Sequence, residues 1–415
     1  MKKFNSYLVV FTFLIVLSLL IFSGCPKGTV LSEINRCLFI NYKIDQAKQE
    51  LSDLDKQMAL AHGYQVFEIE RLVYNFTKDN GQVLKTLIWY PKNKIDPSPT
   101  ILFSHGFTTS AESQLYLTEG LARRGNIVIA ADHLDNISID RIGFFDSQRN
   151  TAQTSTDFVN AMNLIIGNLI QGETVDYLRL LYPLNNLPAE ELAELIASGE
   201  FLHQIDNLFH YRVEDLVFLT DEIQKLNESD PILRGKMDLN RFVLGGHSLG
   251  GYATIYLARD PHPFKALLCL SPYTQPFTKS DLAKINVPVF YMSGDLDDFH
   301  NNVIWSFENT ASSKVFQNIY NGGHITFTDR PFLYGLGLPF VSKGEVGFTN
   351  NLPFDKNGNS TSSYPTQLED YQGKALTILK GASAFITAYV DNDKRGLAIL
   401  NSMSQDSFIT ESIME

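Results

Sequence analysis

Ser248 stands in Gly246-His247-Ser248-Leu249-Gly250, between the apolar run Phe242-Val243-Leu244 and a small-residue, helical stretch over 252–259. A serine hydroxyl becomes a useful nucleophile when a neighbouring base takes its proton. A sharp strand-to-helix turn that lifts such a hydroxyl above a sheet leaves no room for Cβ atoms at Gly246 and Gly250. Ser248 is therefore the candidate nucleophile. His324 follows Tyr320-Asn321-Gly322-Gly323 and is the candidate base, able to accept the Ser248 proton and return it to a leaving group. Asp295, Asp297 and Asp298 share one loop, and any of them could hold that imidazole in one tautomer. His262 and His300 lack the Gly-Gly setting, and His247 is expected to point away from its neighbour Ser248.

The elements that must position these groups alternate. Residues 66–74 and 82–90 are rich in branched and aromatic side chains, and Asp79-Asn80-Gly81 between them is a hairpin turn. A buried strand then leads through Phe103-Ser104-His105-Gly106-Phe107 into a helix over 111–124 and a strand over 127–131. After the Ser248 turn come strands at 266–270, 287–292 and 314–319. Strand and helix in alternation predict an α/β fold, with a mostly parallel sheet and helices on both faces. In such sheets the carboxyl ends of the strands bring distant segments together, which is where Ser248, the aspartates and His324 all fall.

A helical insertion at about 140–210 separates the first half from the nucleophile strand, with helical patterns at 157–169 and 188–197. It is a candidate cap over the site. An amphipathic helix over 212–223 follows, on which Arg212 and Asp215, one turn apart, read as an ion pair. A Gly-, Asn-, Pro- and Ser-rich loop covers about 330–373, and a helix over 375–389 closes the domain. The expected organisation is a signal segment at 1–24, a helical linker at 25–64, a catalytic-type domain at 65–395 and a polar, frayed tail at 396–415.

The net charge of −12 argues against nucleic acid or an anionic membrane surface as an electrostatic partner. The N-terminus suggests another route to lipid. Lys2 and Lys3 precede an apolar core at 8–22, and Phe22-Ser23-Gly24-Cys25 ends it in small residues before a cysteine. This resembles a bacterial lipoprotein signal, which implies export, acylation of Cys25 and anchorage to a membrane. Of the other cysteines, Cys269 lies in an apolar run and reads as a core residue. No Cys/His spacing suggests zinc, and no metal or organic cofactor is expected.

Together, Phe103-Ser104-His105-Gly106-Phe107, Ala131-Asp132-His133, the glycine-flanked Ser248 and Gly322-Gly323-His324 resemble the platelet-activating-factor acetylhydrolase-like and dienelactone-hydrolase-like branch of the α/β-hydrolases. The resemblance spans about 66–389. It implies an α/β-hydrolase fold and hydrolysis of carboxylic esters, lipase- or esterase-like, through an acyl-serine, with a small-molecule or lipid ester as substrate. Peptidase or acyltransferase activity on the same fold is the alternative, as is an inactive lipoprotein that binds an acyl ligand or an envelope partner. The backbone N–H groups of Leu249 and Phe107 are the expected oxyanion donors. In acetylhydrolases of this branch the acid follows the strand after the nucleophile in a Leu-Asp step, and this sequence has Leu270-Ser271 there. The resemblance then places the acid at Asp297, the arrangement of polyester hydrolases and many bacterial esterases.

Overall fold

The computed structural model describes residues 48–106, 109–133, 200–297, 299–329 and 368–415. Its nine strands form one sheet in the order β1-β2-β4-β3-β5-β6-β7-β8-β9. The strands are β1 (Ile69–Thr77), β2 (Val83–Pro91), β3 (Ser98–Ser104), β4 (Ile127–Ala131), β5 (Met237–His247), β6 (Ala266–Leu270), β7 (Val289–Gly294), β8 (Lys314–Ile319) and β9 (Ile409–Met414). From β4 to β8 every neighbouring pair is parallel, while β1–β2, β2–β4 and β8–β9 are antiparallel.

The parallel centre explains why its strands read as nearly continuous apolar runs, since both faces are covered by helices. Along β7, Val289 and Tyr291 join a core shared with helices α3 (Glu200–Ser229), α4 (Leu249–Leu257) and α6 (His300–Asn309). Phe290 points the other way and stacks on Phe385 of α7 (Leu368–Tyr389), with ring centroids 5.4 Å apart. Helix α2 (Leu115–Arg123) packs beside α7, where Gly120 lies against Leu379. The short helix α5 (Lys279–Leu282) is closed by a reciprocal capping box between Thr278 and Asp281.

Two expected boundaries move. Helix α1, over residues 48–61, packs on the domain from Leu51 onward, and Asp55 receives Arg124 at 2.7 Å and Arg123 at 3.4 Å. The tail at 396–415, read from its polar composition as frayed, is a correction. Helix α8 (Lys394–Ser402) and strand β9 occupy it, and Val315 through Ile319 of β8 pair with it. An unpaired β8 would leave a row of open backbone groups, and β9 satisfies that row although most of its side chains are exposed or only half-buried. The helical patterns at 157–169 and 188–197 lie outside the described residues, as do residues 330–367, the N-terminal segment and Cys25, whereas residues 200–210 of the expected insertion belong to α3 and residues 368–373 of the expected loop are the first turns of α7. Among the described residues no helix is long and apolar enough to cross a membrane.

Candidate active site

The turn after β5 places Ser248 at φ 55°, ψ −115°, a backbone state that L-residues rarely adopt. The glycines around it have the steric reason expected of them. A Cβ on Gly250 would lie 2.0 Å from the Ser104 carbonyl oxygen, and one on Gly246 would lie 2.2 Å from the Gly250 carbonyl carbon. The strained turn is pinned by backbone bonds from Ser248 N–H to Leu270 and from Tyr273 N–H to the Ser248 carbonyl. Ser248 then starts α4, so the N–H of Leu249, first residue of that helix, has no intrahelical acceptor. Of the two expected oxyanion donors, it is the one that lies within the described residues. Phe107, the other expected donor, lies outside the described residues.

His324 begins a 3₁₀ turn, His324–Phe327, after β8. Its Nε2 lies 2.8 Å from Ser248 Oγ. Its Nδ1 lies 3.2 Å and 3.3 Å from the two oxygens of Asp297. The structure thus brings the three candidate residues together, with the imidazole between hydroxyl and carboxylate. The Phe299 ring meets the imidazole edge-on at 4.9 Å, and the His247 ring lies on it at 4.8 Å. The Nε2 of His247 donates to the His324 backbone carbonyl at 3.1 Å. It therefore holds the base loop, a role its sequence position did not reveal.

Of the three aspartates, Asp297 alone among the described residues reaches the imidazole. Asp295 Oδ1 instead accepts the Gly322 N–H at 3.1 Å, tying the turn after β7 to the turn after β8. These two turns touch backbone to backbone, since a Cβ on Gly294 would lie 2.0 Å from the Gly322 carbonyl oxygen. Asp298 lies outside the described residues. Burial pushes the Asp297 pKa up, but the charge and hydrogen bond of His324, the Ser271 hydroxyl and the Phe299 N–H together hold it below the ordinary carboxylate value.

A second buried polar group lies under the His105–Gly106 loop. Arg212, fully buried on α3, donates to the carbonyl oxygens of His105 at 2.6 Å and Gly106 at 3.1 Å and to Ser104 Oγ at 3.1 Å. Asp215 takes His133 Nδ1 at 2.9 Å and the Lys78 ammonium at 2.8 Å, and His133 Nε2 reaches Ser104 Oγ at 3.0 Å. In place of the ion pair read between Arg212 and Asp215, Arg212 reaches the loop carbonyls while Asp215 reaches His133 and Lys78. Among the described residues no three His, Cys, Asp or Glu side chains gather as a metal-holding group. Cys269 is buried in β6, and burial pushes its thiol pKa well up.

Sheet order, the Ser248 turn and the line from Ser248 to Asp297 are the attributes of one enzyme superfamily. A family model described as alpha/beta hydrolase fold matches residues 99–319, and the chain belongs to that family. It is similar to proteins named platelet-activating factor acetylhydrolase: 25% identical to that of Bos taurus over 255 residues, covering 60% of this chain and 52% of the relative. The Cavia porcellus protein of the same name is 24% identical over 254 residues, again covering 60% and 52%. The chain thus spans about half the length of the curated relatives it matches.

Proposed function

We propose that this chain is an exported, lipid-anchored serine hydrolase that cleaves carboxylic esters. The observation that carries the reading is the 2.8 Å contact of Ser248 Oγ with His324 Nε2, made from a strained turn and backed by a buried carboxylate. Attack of Oγ on the ester carbonyl forms the C–O bond as the proton passes to Nε2. The same proton is returned to the departing alkoxide, giving acyl-Ser248 and free alcohol. Water then enters by the reverse sequence, the imidazole taking its proton, and releases the acid. The Leu249 N–H, with Phe107 as the proposed second donor, would stabilise the oxyanion of each tetrahedral intermediate.

The test is covalent labelling by a fluorophosphonate together with hydrolysis of p-nitrophenyl esters from acetate upward. Ser248→Ala should abolish labelling and lower turnover by about 10⁶, the scale seen when a serine protease loses its nucleophile. Wild-type turnover in that variant would end the hydrolase reading, and peptide cleavage or acyl transfer without ester hydrolysis would redirect it. The relatives' name speaks of acetyl groups on platelet-activating factor. For this chain the reading stays with carboxylic esters, and the ester series defines the acyl length.

The anchor rests on Lys2, Lys3, the apolar stretch at 8–22 and Cys25. Palmitate fed to expressing cells should label the full chain and leave Cys25→Ser unlabelled. Persistent label in the variant would remove the anchor. A single acyl chain binds a bilayer only marginally, so a firmly held protein also requires more than one chain at that cysteine.

A further inference from the structure

The acceptor nearest to the inner nitrogen of the candidate base is not the carboxylate. Ser271 Oγ lies 2.9 Å from His324 Nδ1, inside the 3.2 Å and 3.3 Å of the two Asp297 oxygens. The same hydroxyl donates a hydrogen bond to Asp297 Oδ2. A hydroxyl has one proton and two lone pairs. With its proton on the carboxylate, a lone pair faces the imidazole, so the Nδ1–H is shared between a neutral oxygen and a charged group that this oxygen itself orients.

The backbone makes this placement specific. Ser271 follows β6 directly and has φ 43°, in the left-handed region, with its N–H held by the Met292 carbonyl at 2.7 Å. Glycine would take that conformation without a steric penalty. What serine adds is the hydroxyl, and it is fully buried between acid and base. Asp297 is fixed from its other side by the Phe299 N–H at 2.9 Å, so Ser271 completes a clamp on the carboxylate.

We propose that Ser271 is a positioning residue of the site, whose hydroxyl orients Asp297 and accepts the His324 Nδ1–H, keeping Nε2 directed at Ser248. The proposal rests on the serine-hydrolase reading. No proton leaves Ser271 in the cycle. Its hydrogen bonds persist while the imidazole gains and loses the proton on Nε2, and they strengthen when the ring is charged.

The experiment is a double-mutant cycle on p-nitrophenyl acetate hydrolysis, with Ser271→Ala, Ser271→Gly, Asp297→Asn and Ser271→Ala/Asp297→Asn. Ser271→Gly suits the left-handed backbone and guards against a folding failure of the alanine variant. Each Ser271 variant should lose about ten- to hundredfold in kcat, the scale of a hydrogen bond to a charged group, with KM within about twofold. In the Asp297→Asn background the further loss should be under about threefold, because both residues act through one imidazole. The far-downfield proton resonance of the His324 Nδ1–H should also move in Ser271→Gly. Single variants within about threefold of wild type, or losses that multiply in the double variant, would overturn the proposal. If the wild type neither hydrolyses the ester nor reacts with a fluorophosphonate, the hydrolase reading fails. The resonance then decides the positioning role, and an unmoved signal rejects it.

Discussion

Arg212 donates to the His105 carbonyl oxygen across 2.6 Å, from a side chain with no solvent exposure. The helix that precedes the nucleophile strand is thereby fastened to the loop that leads to the expected oxyanion donor. Arg212→Met should lower stability by about 1–3 kcal/mol, because buried loop carbonyls lose their donor. Arg212→Lys keeps the charge but replaces a planar fork by a point donor, and should lose about tenfold in kcat with a smaller stability cost. Denaturation midpoints and kcat for the two variants check this. Equal activity in lysine and arginine forms would show that the fork is dispensable.

Asp297 and Asp295 differ by two residues and should differ by orders of magnitude in effect. Asp297→Asn preserves shape but favours the wrong imidazole tautomer, a change that costs about 10⁴ in a serine protease. Asp295→Asn touches only the bond to the Gly322 N–H and should cost about tenfold or less, or ~1.4 kcal/mol in the barrier. Measuring kcat/KM on one activated ester ranks them. The reverse order would reassign the acid.

Acid should weaken the fold through two buried carboxylates. Burial pushes the Asp215 pKa up, but the hydrogen bond and charge of His133 and then those of Lys78 outweigh it and hold the carboxyl below its ordinary value. Asp297 is displaced in the same direction. A group whose folded pKa is depressed contributes stability above its unfolded value of about 3.9, and that contribution is lost as pH falls through the folded value. Urea midpoints should therefore fall steeply below about pH 4 in the wild type. Asp215→Asn should start lower at pH 7 and decline less over the acid range, and parallel curves for the two proteins would contradict the linkage.

Removing residues 409–415 should open β8 as an edge strand. The cut also removes the paired backbone bonds between Lys314 and Glu415. The expected result is a lower melting temperature and concentration-dependent aggregation, read by light scattering during heating. An unchanged melting temperature would mean that β9 adds little to the sheet.

The central fold and the three aligned side chains were legible because each depends on local chemistry. Apolar runs marked strands buried on two faces, the crowded glycines marked the Ser248 turn, and Gly322-Gly323 marked the loop of His324. Other features depend on partners far along the chain. Nothing near Ile409 announces a strand, since its mixed, half-buried pattern makes sense only beside β8. Ser271 read as a position without an acid because a left-handed backbone angle, invisible in residue type, aims its hydroxyl between Asp297 and His324. Arg212 and Asp215 are one turn apart on a helix, so a local pair was the simplest reading. Their contacts with Ser104, His105 and His133 require the sheet to be assembled first.

The backbone contact between Gly294 and Gly322 makes the turns that carry the candidate acid and base one mechanical unit. Any side chain at Gly294 would push against the Gly322 carbonyl, shifting the loop of Asp297 and the loop of His324 together. A single substitution at Gly294 therefore moves both groups rather than retuning the spacing between them.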